Sequence, residues 1–113
     1  MSKVFEMPVQ SVYVHYVTKI EKKGRTKTEL NKIICWLTGF SAPEFQAHLK
    51  AGTTFEQFFK KAKLNKNASK ITGTICGYRI EEIPDPLMKK IRYLDKVVDE
   101  LAKGKSLEQI MRK

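Results

Sequence analysis

Thr26-Lys27-Thr28-Glu29-Leu30-Asn31-Lys32-Ile33-Ile34-Cys35-Trp36-Leu37-Thr38-Gly39 is the stretch that decides the fold. A hydroxyl at Thr26 with a carboxylate three residues later is a capping box, in which each side chain satisfies an amide the helix start leaves open. Leu30, Ile33, Ile34, Trp36 and Leu37 follow at helical spacing and form a wide apolar face. Gly39 then supplies the left-handed residue on which helices commonly end. Cap, amphipathic rod and glycine make one unit.

The unit recurs on both sides. Ser41-Ala42-Pro43-Glu44 opens a helix with Phe45 and Leu49 inward and Gly52 at its close. Its proline sits in the first turn, where no amide donor is missed. Thr54-Phe55-Glu56-Gln57 opens the next, with Phe55, Phe58, Phe59 and Ala62 apolar. Upstream, Val9, Tyr13, Tyr16, Val17 and Ile20 repeat every three or four residues before Gly24. Downstream, Asp85-Pro86 is a cap followed by a first-turn proline. Leu87, Ile91, Leu94, Val98 and Leu101 then alternate spacings of four and three. That heptad pattern is too short for a coiled coil, so this helix is expected to cross the core of its own domain. Gly104 ends it, and Ser106-Leu107-Glu108-Gln109 caps a short last helix with Ile110 and Met111.

The exception lies between the fourth and fifth helices. Asn65 to Ser69 reads as loop. Ile71 to Ile83 is rich in β-branched residues, is broken by Gly73 and Gly77, and shifts its apolar parity from Ile71 and Ile75 to Cys76, Tyr78 and Ile80. A parity slip predicts a bulge or hairpin near Cys76-Gly77. A lone ribbon is marginal in water, so it must lean on helices or pair with another strand, for which Val4-Phe5-Glu6-Met7 is the strand-like candidate. Glu81 and Glu82 are then expected on opposite faces of a strand. The expected fold is mainly α: a single domain over residues 1–113 with about six short-to-medium helices and one small β-ribbon at about residues 70–83. The ends 1–6 and 111–113 are candidates for flexibility.

Leu49–Lys61 and Leu101–Lys113 align without gaps at an offset of 52. Gly52 matches Gly104, Thr54 matches Ser106, Glu56-Gln57 matches Glu108-Gln109, and Lys60-Lys61 matches Arg112-Lys113. The repeated device is a helix end, a glycine, a hydroxyl cap and a basic amphipathic helix. Helix-turn-helix DNA readers use such corners, but both second helices here begin with Glu-Gln, and a glutamate repels phosphate.

The 113 residues are 42% hydrophobic and 30% charged, the balance of a globular domain rather than a disordered chain. Apolar runs fall far short of the roughly 20 residues of a membrane helix. The first residues lack a signal core. Cys35 and Cys76 form no CxxC motif. A cytoplasmic protein with reduced thiols, no cofactor and no membrane contact is expected. Lys plus Arg is 22 against 12 Asp plus Glu, a net charge of +10, which attracts polyanions but also keeps a small protein soluble. The densest excess is Lys60, Lys61, Lys63, Lys66 and Lys70, and a second knot is Lys19, Lys22, Lys23 and Arg25. Both fall where helices end, and there the helix dipole itself favours cations. No aromatic interleaves Lys60 to Lys70, so the stacking used for single strands is missing.

Catalytic material is sparse. Cys76 near Arg79, with His15 or His48 as base, is the nucleophile arrangement to consider, while a packed thiol is the commoner role. Glu81, Glu82 and Asp85 cluster, but Asp85 already caps a helix and no His-rich or Asp-rich loop completes a metal shell. Salt bridges to Arg79 or Arg92 account for the two glutamates. No phosphate-loop motif occurs. His15, Tyr16, Tyr78, Arg79, Arg92 and Tyr93 are the best material for an interaction surface, because Arg and Tyr dominate interface hot spots. A non-enzymatic module that binds a protein or assembles with itself is therefore the leading expectation. Nucleic-acid binding through the basic knots is the alternative, and a Cys enzyme comes third.

Lys23-Gly24-Arg25-Thr26, Trp36-Leu37-Thr38-Gly39-Phe40, Cys76-Gly77-Tyr78-Arg79-Ile80-Glu81-Glu82-Ile83, Asp85-Pro86-Leu87-Met88 and Ile91-Arg92-Tyr93-Leu94-Asp95-Lys96 carry a resemblance. Over nearly its whole length the chain resembles the small bacterial family catalogued as a domain of unknown function, number two-thousand-two-hundred. The resemblance implies a bacterial cytoplasmic protein made of this domain and little else. It brings no activity, cofactor or site residue.

Overall fold

A computed structural model of the chain describes residues 3–75 and 77–112. Among these residues the helices are α1 (Val9–Glu21), α2 (Lys27–Thr38), α3 (Ala42–Ala51), α4 (Phe55–Lys61), α5 (Pro86–Ala102) and α6 (Leu107–Ile110). A two-stranded antiparallel ribbon, β1 (Thr74–Ile75) and β2 (Tyr78–Arg79), separates α4 from α5. Short 3₁₀ turns cover Lys3–Glu6, Lys66–Lys70 and Ile80–Glu82.

Local chemistry explains the boundaries. Thr26, Ser41 and Ser106 each close a reciprocal capping box, with Glu29, Glu44 and Gln109. Thr54 and Asp85 cap α4 and α5 by accepting from the amides of Gln57 and Met88. Gly39 and Gly52 end α2 and α3 in left-handed geometry, at φ 79° and 69°. Substitution at Gly39 is closed twice over, since a Cβ there would lie 2.6 Å from the Lys63 carbonyl oxygen. That approach exists because the chain after α4 returns to seal α2. Lys63 and Asn65 donate their backbone N–H groups to Thr38 and Leu37 at 2.8 and 3.0 Å, satisfying carbonyls a helix end leaves open.

The apolar faces meet in one core. Phe45, Phe55, Phe58 and Phe59 are fully buried with Leu30, Ile33, Leu37, Leu94 and Leu101. Phe45 and Phe58 lie edge-on with ring centroids 6.1 Å apart, and Tyr13 meets Phe45 at 5.5 Å. As its period implies, α5 crosses the core, touching α1, α2, α4, α6 and β1.

Two local expectations are corrected. Val4-Phe5-Glu6-Met7 is not a third strand. Lys3–Glu6 winds into a 3₁₀ turn that buries Phe5, and among the described residues this segment pairs at Pro8 alone, bridged to Thr54. Bonds from Val9 N–H to Thr53 O (2.8 Å) and from Phe55 N–H to Met7 O (3.0 Å) fix that single rung. Likewise Glu81 and Glu82 lie in a 3₁₀ turn rather than on opposite faces of a strand, because the ladder ends at the Thr74–Arg79 pair. The ribbon is supported by α5: Ile75 is buried, and the Lys96 ammonium donates to the Thr74 carbonyl at 3.2 Å.

Candidate functional site

The short register of the ribbon builds the site. Ile75 pairs with Tyr78 and Thr74 with Arg79, and Gly77, just before β2, has φ +82°. The bond from Ile80 N–H to Gly73 O (2.9 Å) closes the ribbon base, and the Glu81 carboxylate accepts from Gly73 N–H at 2.9 Å. Hydrogen bonds from its own amide and that of Gly73, with Arg79 and Lys89 nearby, hold the Glu81 carboxyl below the usual range. Ile75 and Ile80 are buried, whereas Tyr78 and Arg79 are both exposed. Tyr78 stands 53% exposed, one of three large apolar side chains so placed among the described residues, with Met7 and Val14.

Between this ribbon, the N-terminal 3₁₀ turn and the start of α5 lies a groove of about 610 Å³. Phe5, Tyr78, Ile83, Pro84 and Met88 give it apolar walls, and Arg79, Glu82 and Asp85 add charge. The volume is in the range of ligand and anchor-residue pockets. Arg79 pairs loosely with Glu81 and Glu82, at 3.7 and 3.5 Å, all three well exposed. Pairs of that kind contribute little to stability.

Arg92, one helical turn beyond Met88, is held firmly. Its guanidinium carbon lies 5.0 Å from the centroid of the Tyr78 ring. Its Nη1 donates to Asp95 Oδ2 at 2.7 Å, and the Tyr16 hydroxyl donates to the other oxygen of Asp95. Three of the candidate surface residues, Tyr16, Arg92 and Tyr78, thus converge through Asp95, a residue the sequence reading passed over. The opposite charges of Arg92 and Asp95 three apart on a helix were the signal that could have found it. His15 is left aside, exposed on the outer side of α1, and Tyr93 is buried. Tyr16 is also buried, offering its hydroxyl rather than its ring.

The basic knots fare differently from each other. Lys60, Lys61, Lys63, Lys66 and Lys70 are all exposed and form no ion pair among the described residues. In the second knot Lys19 binds Asp99 at 3.1 Å. Arg25 binds Glu29 at 2.7 Å and reaches the Lys105 carbonyl at 2.9 Å, stapling the α1–α2 loop to the α5–α6 corner. Lys22 and Lys23 remain exposed. The knots sit at opposite ends of α2, whose 12 residues span about 18 Å.

Among the described residues no group of three or more His, Cys, Asp or Glu is placed to hold a metal ion. Cys76 lies outside the described residues. His48 shares a hydrogen bond with the Thr53 hydroxyl at 3.0 Å and packs against Phe40 and Phe58. Cys35 lines a second cleft of about 410 Å³ with Asn31, Phe40 and Ser41. Burial, and to a lesser degree the Glu44 charge, push its thiol pKa up, away from the reactive thiolate.

No helix among the described residues is long and apolar enough to cross a membrane. No curated protein matches the chain. The crystal structure of the uncharacterized protein SP1917 superposes with a TM-score of 0.92 at 42% sequence identity, covering 99% of this chain and 93% of that one. A family model described as an uncharacterized protein conserved in bacteria (DUF2200) matches residues 3–112. Matched over almost its full length, the chain belongs to that bacterial family.

Proposed function

We propose that the protein is a non-enzymatic interaction module that engages a protein partner through the groove beside the ribbon. The observation that carries this reading is the Tyr78 ring, half exposed at the rim of an apolar groove. Aromatic and arginine anchors beside a pocket are where interface energy concentrates, and Tyr78 with Arg92 is such a pair. A second reading, polyanion binding, is favoured by the exposed, unpaired lysines from Lys60 to Lys70.

A photo-crosslinking amino acid placed in turn at Tyr78, Lys63 and His15, in cells that naturally make the protein, separates these readings. A protein adduct from Tyr78 but not from His15 is expected, its mass telling a second copy of this chain from another partner. A nuclease-sensitive adduct from Lys63, with none from Tyr78, favours the polyanion. Adducts that do not depend on position overturn the groove reading.

A further inference from the structure

The guanidinium of Arg92 is only partly used. Nη1 is committed to Asp95, whereas Nε is enclosed and has no hydrogen-bond partner among the described residues. Nη2 makes no hydrogen bond among them either. Nε and Nη2 share one edge of the guanidinium plane, and two N–H groups along an edge match the two oxygens of a carboxylate. The other groups around Arg92 are arranged to hold it in place. Asp95, itself held by Tyr16, fixes one end of the fork, and Tyr78 covers a face. An enclosed donor left unpaired is a standing cost that a native structure normally removes.

We infer, resting on the groove reading above, that the partner presents an extended segment whose Asp or Glu side chain takes the open edge of Arg92 while an apolar side chain enters the groove over Met88. The spacing follows from the helix. Met88 and Arg92 are one turn apart, so their side chains lie about 6 Å from each other. An extended chain covers about 3.3 Å per residue and points alternate side chains to the same face. The acid and the apolar residue are therefore two positions apart. Tyr78, half exposed on a two-residue strand, is the cover that shifts to admit the carboxylate to Nε.

The test is a selection of random peptides displayed on phage against the full chain. The peptides are joined to the phage through their C-termini, so every carboxylate is a side chain. Enriched peptides are then made with blocked ends and titrated by fluorescence anisotropy against wild type, Arg92→Gln, Arg92→Lys and Lys22→Gln, each checked by circular dichroism. Peptides with Asp or Glu two positions from an apolar residue are expected, weakened about tenfold or more by Arg92→Gln, as for a fully used charged anchor. Arg92→Lys, which keeps charge but loses the fork, should weaken them too, and Lys22→Gln, an exposed cation outside the groove, should leave them within about twofold. Changing the peptide acid to its amide must cost the wild type the same factor and cost Arg92→Gln nothing further. Should Arg92→Gln fail to fold, Arg92→Lys supplies the variant corner of the same cycle, and the amide should then cost it less than it costs the wild type. Peptides without an acid that need Tyr78 but bind Arg92→Gln undiminished overturn the carboxylate and leave the groove reading standing. No enrichment, or binding indifferent to Tyr78→Ser, overturns both. Displacement by random duplex DNA, equal in wild type and Arg92→Gln, assigns the binding to diffuse charge and also overturns the inference.

Discussion

Arg112→Met should cost this domain a large part of its stability, although the residue is the last one described at the C-terminal end. Glu100 is 3% exposed, a carboxylate inside the α5–α6 corner. Arg112 meets it with both ends of its fork, Nη1 to Oε1 at 2.8 Å and Nη2 to Oε2 at 2.9 Å. The same guanidinium reaches the Lys70 and Ile110 carbonyls, and Asn67 donates to the Arg112 carbonyl, so the 3₁₀ turn Lys66–Lys70 is tied to the corner as well. Removing one partner of a buried pair costs about 3–5 kcal/mol, because the other charge stays behind unpaired. Lys105, at 3.4 Å from Glu100 and half exposed, remains in reach and moves the expectation to the low end, about 3 kcal/mol. Methionine keeps the bulk and meets the same left-handed backbone, φ 52°, as arginine does, so backbone strain cancels in the comparison. With an unfolding entropy of about 2.1 cal/mol/K per residue, a 113-residue chain changes by about 0.24 kcal/mol per degree, so the melting temperature falls about 13 °C. Calorimetry at neutral pH reads this directly. The double variant Glu100→Met/Arg112→Met should recover at least about half the loss, since well-packed apolar replacements of buried pairs are often neutral or better. A melting point within about 3 °C of wild type for Arg112→Met, or strict additivity in the double variant, refutes the reasoning.

Two further perturbations follow from the same structure. Gly39 and Gly24 have the same φ of 79°, but a Cβ meets the Lys63 carbonyl oxygen at 2.6 Å in one case and open space in the other. In urea titrations Gly24→Ala should therefore lose only the left-handed cost of about 1–2 kcal/mol, and Gly39→Ala clearly more; equal losses count against the clash. Hydrogen bonds from Arg25 and from the Thr26 backbone hold the Glu29 carboxyl below its ordinary value of 4.5. A depressed folded-state pKa gives stability that is present above that value and lost as pH falls through the folded one. The deficit of Glu29→Gln relative to wild type should therefore shrink on acidification below about pH 4.5, and thermal melts that stay parallel down to about pH 3 would contradict it.

What the sequence made legible was local in origin. Capping boxes at Thr26, Ser41 and Ser106 need partners three residues away, and the parity slip at Cys76-Gly77 is a property of a dozen residues. The misreadings were local patterns settled by distant partners. Val4 to Met7 alternates like a strand, but Phe5 finds more burial by turning into the core than by pairing. The candidate site needed a contact no window contains: Asp95 joins Arg92 to Tyr16, which lies 79 residues away from it in the chain. Arg25 illustrates the same limit from the other side. It looked like part of a polyanion patch, and its donors are spent on Glu29 and the Lys105 carbonyl.

The duplicated corner shows why charge alone could not assign function. In the first copy Thr53 and Gly52 donate to the His48 and Leu49 carbonyls, and in the second Lys105 and Gly104 donate to those of Glu100 and Leu101. Thr54 and Ser106 then cap in the same way. At the matched basic position the two diverge: Lys60 stands exposed, and Arg112 is drawn inward onto Glu100. The residue matching Glu100 is His48, whose ring is taken up by Phe40, Phe58 and the Thr53 hydroxyl, so Lys60 has no buried carboxylate at the matched position. One backbone device thus yields a structural latch or a solvent-facing cation, depending on a single side chain five residues before the cap-flanking loop closes. The proposed carboxylate contact lies where a cation is held in place yet left with open donors. Among the candidate residues Arg92 meets both conditions, whereas Lys60 to Lys70 meet only the second.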